Sequence, residues 1–513
     1  MQLTNEQYEA VKLFHSGGNL VVNAFAGTGK TTTAIAIAES VSSTGLYLAF
    51  NRSIADEIRT RYTRKNLDCR TTHSLAYRYI RATTKYDDDK LFRDLPLKFI
   101  VEQAGLRDFE IDNKIAIKAI SFSFLIRETI KTFCNSGSDM IAVDHVPKYG
   151  QLATLTKSTF DEFKKYVVSV AEFVWNEMTR IDSNYPLGHD GYLKLWSLAA
   201  PELPYSFVLL DEAQDTNDAV LSVMRKRASR IVYIGDRYQQ IYSWRGAVNA
   251  MSKITNTNYA FLTQSFRFGS LIADLANQIL DRFGESEQLE GNPKVFTTIN
   301  SKSSGTNICR TNAGVLGSVV SHLSGDKKVY VMGGVAELRR LLDDVSYLRN
   351  GRPAANVEFF GFKNWKEVCE FADSEDGKHL QALVRVINTF GEDRLKQALD
   401  SCVTNESDAD VIVSTAHKSK GREWESTELN SDFLSGWLRK PGQLEREEQR
   451  EEARLLYVAI TRCKSNLNIP EDLLALIRRE SVSYPAAPQS SPISENSSES
   501  RRRPTPPSFI RER

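Results

Sequence analysis

No apolar run in this 513-residue chain approaches the length needed to cross a membrane, and the opening Met1-Gln2-Leu3-Thr4-Asn5-Glu6 lacks the apolar stretch of a secretory leader. Neither membrane insertion nor secretion is expected. Cysteine is scarce and scattered: Cys69, Cys134, Cys309, Cys369, Cys402 and Cys463 form no C-x-x-C pair and have no histidine cluster nearby. A disulfide framework and a structural zinc site are therefore not expected, and the thiols read as those of a reduced compartment, cytosolic or nuclear. Charge of one sign is also missing. The formal net charge is only +1, so a nucleic-acid partner would have to be held by a local groove rather than by a global field. What remains, 41% hydrophobic and 26% charged residues, is an ordinary globular composition. The length calls for two to four domains.

Against that plain background two short stretches stand out. Ala24-Phe25-Ala26-Gly27-Thr28-Gly29-Lys30-Thr31-Thr32 follows the apolar run Leu20-Val21-Val22 and opens an Ala/Ile-rich helix. The order strand, glycine-bearing loop, helix N-terminus suits a triphosphate, because residues without Cβ let backbone N–H groups turn inward. Lys30 then reaches the β- and γ-phosphates, and the Thr31 hydroxyl is placed for Mg²⁺. About 180 residues later, Phe207-Val208-Leu209-Leu210 leads into Asp211-Glu212-Ala213-Gln214-Asp215. Asp211, at the end of a strand buried on both faces, is expected in the Mg²⁺ shell, and Glu212 is expected to polarise the attacking water. ATP and Mg²⁺ are the implied ligands.

The gap between these stretches implies material inserted into a sheet domain. Residues 77–195 form that insertion and are helical in pattern, with Phe163, Val167, Val170 and Val174 on one helix face. Strands are expected at Leu46–Phe50, Ile231–Gly235 and Ala260–Thr263. From Ser265 the pattern starts again, with a helix at Leu271–Phe283, strands at Asn307–Cys309, Lys328–Met332 and Val411–Val413, and a helical stretch over 335–405. The expected fold is α/β: two RecA-like P-loop domains with parallel sheets, one from 1–76 and 196–264, the other from 265–334 and 406–480, each carrying a mainly helical insertion. Residues 481–513, rich in Ser, Pro and Arg, are expected to be a disordered tail that could tether DNA or recombination and repair proteins.

Further residues take meaning from this frame. Gln7, before the first strand, could read an adenine edge, although a single glutamine is more often a surface residue. Gln239 follows a buried-type strand and can sense a γ-phosphate. Tyr242 and Trp244, beside Arg245, project toward a neighbouring groove, where stacked bases are worth about 1–3 kcal/mol each; in isolation Trp244 would read as core. Phe50, Asn51, Thr72 and His73 offer the same choice. Arg267 and Arg462 sit at boundaries of the second domain, from which such residues can reach the γ-phosphate, a contact worth on the order of 10³–10⁵ in rate.

In this order these segments resemble the motifs of UvrD/Rep-type superfamily 1 helicases over roughly residues 1–470. The resemblance implies that Gln7 reads adenine, that Phe50 and His73 lie on the DNA path, and that Phe266 and Arg267 form one motif. It also implies that Thr415–Trp424 forms another, with His417 near DNA, Gly421 at the phosphates and Glu423 at the ribose, and that Arg454–Arg462 forms the last. Phe133–Ser136, His145–Pro147 and Gly188–Leu195 are similar to the F-box DNA helicase branch, and with the adenine-reading segment at its start the chain is expected to carry no F-box. After Trp424, Ser426-Thr427-Glu428-Leu429-Asn430 is more polar than a buried strand, so an edge position or weak local packing is expected there. The implied activity is ATP-driven 3′ to 5′ movement on single-stranded DNA with unwinding at single-strand/duplex junctions, in repair or recombination, in the cytoplasm of a microbe or in a nucleus. A translocase that strips proteins from single strands, and a nucleotide-sensing subunit of a larger assembly, remain open alternatives.

Overall fold

The computed structural model describes residues 2–478, apart from 113–114, 242–250, 252–253, 255–256, 302–304, 353, 375, 435–443 and 445, together with 510–512. Strands β1 (Leu20–Ala24), β2 (Gly45–Ala49) and β3 (Leu67–Thr71) open the fold. A short antiparallel hairpin, β4 (Phe109–Ile111) and β5 (Ile115–Ile117), lies inside the helical insertion, before β6 (Phe207–Leu210), β7 (Ile231–Gly235) and β8 (Asn258–Leu262). Apart from that hairpin these strands form one parallel sheet in the order β3-β2-β6-β7-β1-β8. A parallel sheet is covered on both faces, and every residue of β1, β2, β6 and β7 is accordingly buried.

Alternate residues of these strands feed two different cores. Val22, Tyr47, Leu209 and Ile234 pack with Ala10, Phe14 and Ile37 on one face. Val21, Leu48, Leu210 and Tyr233 pack on the other with the insertion, including Phe122 and Phe133, and with Trp196 just after it. The predicted stripe Phe163, Val167, Val170 and Val174 is buried on the helix Lys157–Thr179 and belongs to this second core.

The second sheet contains β9 (Thr298–Ile299), β10 (Thr306–Cys309), β11 (Val329–Val331), β12 (Val411–Thr415), β13 (Trp424–Leu429) and β14 (Cys463–Asn468), in the parallel order β11-β12-β10-β13-β14-β9. The helix expected at Leu271–Phe283 runs Ser270–Leu280 and tightens into a 3₁₀ turn over Asp281–Phe283. Within 335–405, the helices Ala336–Arg349, Trp365–Ala372, Gln381–Phe390 and Glu392–Asp400 share one core with β11, β12 and the helix Asn312–Ser324. This segment is a layer on its own sheet.

Two expectations are corrected. The polar strand β13 is not at an edge: it pairs with β10 on one side and β14 on the other. Just past its end, Asn430 is tied into the fold, donating to Ser318 Oγ (2.9 Å), which in turn donates to Asn307 Oδ1 (3.1 Å). The tail is not wholly without structure: β15 (Ile510–Glu512) pairs antiparallel with β4, Arg511 opposite Glu110, on the open edge of that hairpin. Among the described residues no helix is long and apolar enough to cross a membrane.

Candidate nucleotide cleft and strand interface

In a parallel α/β sheet, ligands gather where the chain leaves the C-terminal ends of the strands. The phosphate loop leaves β1 there and Asp211 leaves β6, with β7 between the two strands. Gly27 (φ +77°) and Gly29 (φ +85°) take the left-handed conformation, and Gly29 caps the helix Lys30–Glu39, aiming free N–H groups at the loop's hollow. Ala24 ends β1, Thr28 is buried with its hydroxyl on Phe25 O (2.9 Å), and Thr31 and Thr32 lie half-buried in the first helical turn. Lys30 Nζ stands 3.5 Å from Glu212 Oε1.

The second domain closes directly on this loop. Phe25 and Ala26 belong to the same apolar cluster as Phe268, Ile308 and Tyr457, so the two domains share a core at the phosphate loop. Phe266 N donates to Gly27 O (2.8 Å), Ser265 Oγ to Ala26 O (3.0 Å) and Ala26 N to Tyr457 Oη (3.3 Å). Gln7 is buried and doubles as part of a capping box with Thr4, while its Nε2 and the Phe266 ring crowd the open side of Gly29. Both adenine-side candidates therefore flank the loop.

Both arginines come to the seam. Arg462 is 2% exposed, and its Nη2 donates to Gln239 Oε1 (3.2 Å) while Nε donates to Val458 O (3.0 Å). Burial, and then the neighbouring Arg267 charge, pull its pKa down to about 9, so it stays protonated at neutral pH. Arg267 pairs with Glu423 (2.6 Å) and donates to Thr461 O (2.7 Å), and its Cβ lies against Gly27. Gly421 adopts φ +81°, two residues before Glu423.

The carboxylates are not equivalent. Burial and the adjacent Glu212 charge push the Asp211 pKa up, against a hydrogen bond from Tyr47 (2.7 Å). Burial works the same way on Glu212, but Lys30, Lys420 and the Gln214 amide outweigh it and hold that carboxyl below its ordinary range. Burial pushes Asp215 up to about 6 despite an ion pair with Lys420, which also donates to Gln239 O (2.6 Å) across the cleft. A buried carboxylate that is poorly compensated, beside a phosphate loop bearing a threonine, fits a hard divalent cation. Asp211 and Thr31 would hold Mg²⁺, which would supply neutralising charge to a bound triphosphate.

Several participants escaped the sequence. Tyr47 reads as a core aromatic of β2. Tyr457 joins Ala26 to Asp236 (3.0 Å to Oδ2), and Asp236 also takes the Gln239 amide (2.7 Å). Lys420, Gln214 and Asp215 sit inside the quoted motifs, but nothing in their spacing shows that Lys420 pairs with Asp215 across the domains or that the Gln214 amide bonds Glu212.

Four of the DNA candidates lie at the same edge of the first sheet, at the ends of β2 and β3. Phe50, half exposed, and Asn51 follow β2, and Asn51 caps the helix Arg52–Arg61. Thr72 and His73 begin the helix Thr72–Thr83 after β3. The His73 ring meets Tyr192 (6.1 Å) and His189 (6.2 Å) edge-on, and His189 lines a cavity of about 300 Å³ with Arg127 and Lys131. His417 lies in the short helix Ala416–Ser419 after β12. Tyr242, Trp244 and Arg245 lie outside the described residues.

Gly27 gives a direct check on this packing. A Cβ there would come within 2.7 Å of both Arg267 Cβ and Ser265 Oγ, in a conformation that costs an L-residue about 1–2 kcal/mol. Gly27→Ala is expected to lower Tm and raise the KM for ATP at least tenfold, read by thermal melts and steady-state kinetics.

This geometry is matched by family comparison. The model of the UvrD/REP helicase N-terminal domain matches residues 3–259 and that of the UvrD-like helicase C-terminal domain residues 362–471. The chain belongs to the UvrD/Rep helicase family. Among its relatives, F-box DNA helicase 1 of Gallus gallus is 29% identical over 93% of this chain and 50% of its own length. F-box DNA helicase protein 1 of Schizosaccharomyces pombe is 29% identical over 93% and 58%, and a probable DNA helicase of Mycoplasma pneumoniae 22% identical over 91% and 83%. The chain thus spans only about half the length of the F-box relatives it matches.

Proposed function

We propose that this protein is an ATP- and Mg²⁺-dependent motor that moves 3′ to 5′ on single-stranded DNA and unwinds duplexes, in DNA repair or recombination. The observation that carries the reading is the convergence of charged and polar groups from two domains on one phosphate loop: Lys30, Glu212 and Gln239 from the first, Arg267 and Arg462 from the second. Gly27, Thr28 and Gly29 offer backbone N–H groups to the phosphates, Gln7 and Phe266 hold the base, and Glu423 the ribose. Glu212, kept ionised by its basic neighbours, orients and deprotonates the attacking water. Arg267 and Arg462 stabilise the charge that develops on the transferred phosphoryl group. A nucleotide that both domains contact makes their closure depend on its state, and alternate closure and release carry a strand across Phe50, Asn51, Thr72, His73 and His417.

The test is ATP hydrolysis with and without single-stranded DNA, followed by unwinding of duplexes with a 3′ or a 5′ tail. Stimulation by the strand and unwinding from the 3′ tail alone are expected. Unwinding from the 5′ tail alone overturns the polarity, and no stimulation at all overturns the motor. A second reading, a translocase that displaces proteins from single strands, is favoured by the way residues 336–400 pack onto their own sheet instead of standing out toward a duplex. Under it, a bound protein is cleared faster than an annealed oligonucleotide.

A further inference from the structure

Three segments of the insertion, Phe133–Ser136, His145–Pro147 and Gly188–Leu195, have no part in the nucleotide cleft, yet the fold brings them together around a buried cation. Lys194 is fully buried and meets no carboxylate within salt-bridge distance among the described residues. Its Nζ donates to Ser136 O (2.8 Å) and Ser138 O (2.6 Å) and lies 4.2 Å from the centre of the Phe133 ring. His145 accepts from Ala142 N at Nδ1 (2.8 Å), which leaves Nε2 to donate to Ser136 Oγ (3.1 Å). A charge buried in this way is costly, and packing alone would be served by Met or Leu. What the cluster fixes is the last turn of the helix Ala119–Asn135.

That turn holds the catalytic loop. Asn135 Oδ1 accepts from Asn217 Nδ2 (2.7 Å), and Asn217 Oδ1 caps the helix Asp218–Arg227. The helix bearing Lys194 grips the same element through Ser197 Oγ on Ala219 O (2.9 Å). Between Asp211, held by Tyr47, and Asn217, held by Asn135, runs the short loop carrying Glu212 at φ +48°, a left-handed conformation that a glutamate keeps only when its surroundings impose it. We infer that Asn135 and Lys194 are positioning residues of the ATPase, through which the helical insertion sets the place of Glu212.

This rests on the reading of the cleft as an ATPase, so its test has one arm that does not need turnover. In Asn135→Ala, amide exchange over 213–217, where Asp215 N bonds Glu212 O (2.9 Å), should quicken by about five- to tenfold, as loss of one hydrogen bond allows. DNA-stimulated kcat should fall by about tenfold or more, with KM for ATP and single-strand affinity within about twofold. Lys194→Met should act in the same direction, and the Asn135→Ala effect should vanish in an Asn217→Ala background. Unchanged exchange in folded Asn135→Ala overturns the link whether or not the protein hydrolyses ATP. Faster exchange with unchanged kcat overturns its catalytic role. A wild-type chain without ATPase activity refutes the reading of the cleft, while the exchange arm still decides the link.

Discussion

Lys30→Ala is expected to reduce DNA-stimulated ATP hydrolysis by at least about three orders of magnitude while leaving single-strand affinity within about twofold. The first half follows from position. Lys30 is the first residue of a helix whose N-terminus faces the phosphate hollow, and its Nζ stands 3.5 Å from the Glu212 carboxylate. Alanine removes the positive charge proposed to meet the β- and γ-phosphates and also part of what keeps Glu212 ionised. The second half follows from separation: Phe50, Asn51, Thr72 and His73 are carried by the ends of β2 and β3, whereas Lys30 opens the helix after β1, with β6 and β7 between β2 and β1 in the sheet. Steady-state phosphate release and the anisotropy of a labelled oligonucleotide measure the two halves. Hydrolysis that persists and still responds to DNA in Lys30→Ala would sink the assignment of the phosphate loop.

Much of this arrangement was readable before folding because the physics is local. A strand buried on both faces must be apolar throughout, so Leu20–Val22 and Phe207–Leu210 declare β1 and β6, and the residue leaving each strand is placed at the ligand edge. Repetition of the pattern after Ser265 declares the second sheet for the same reason. What stayed hidden depends on partners far apart in sequence. Tyr47 is indistinguishable from a core aromatic until β2 lies beside β6 and its hydroxyl meets Asp211. Lys420 looks like a surface lysine until the second domain brings it to Asp215 and the Gln239 carbonyl. The polar sequence of β13 points to an edge or to weak local packing because alternation normally means one wet face. The strand is instead paired on both sides, and Asn430, just past its end, is held inside the fold by Ser318, which in turn bonds Asn307. The pairing of β15 with β4 joins positions some 400 residues apart, which no local pattern encodes.

The largest effect on coupling is expected at Arg462. Its guanidinium reaches from the second domain to Gln239 of the first, so it is poised to feel a γ-phosphate and to transmit its presence. Removing such a group costs on the order of 10³–10⁵ in kcat for phosphoryl transfer, and Arg462→Ala should fall in that range with a much smaller change in nucleotide affinity. Arg462→Lys should be nearly as inactive. A lysine keeps the charge, but it cannot bond Val458 O, Thr461 Oγ1 and Gln239 Oε1 at once through a rigid planar fork. The defect should extend beyond chemistry. In the wild type a non-hydrolysable ATP analogue should change single-strand affinity, because under the proposed function it would close the domains that together hold the strand. In Arg462→Ala the analogue should still bind but leave strand affinity unaltered within about twofold, since the contact that converts occupancy into closure is gone. If the analogue shifts strand affinity equally in both proteins, closure is driven by groups other than Arg462, and the residue serves hydrolysis alone.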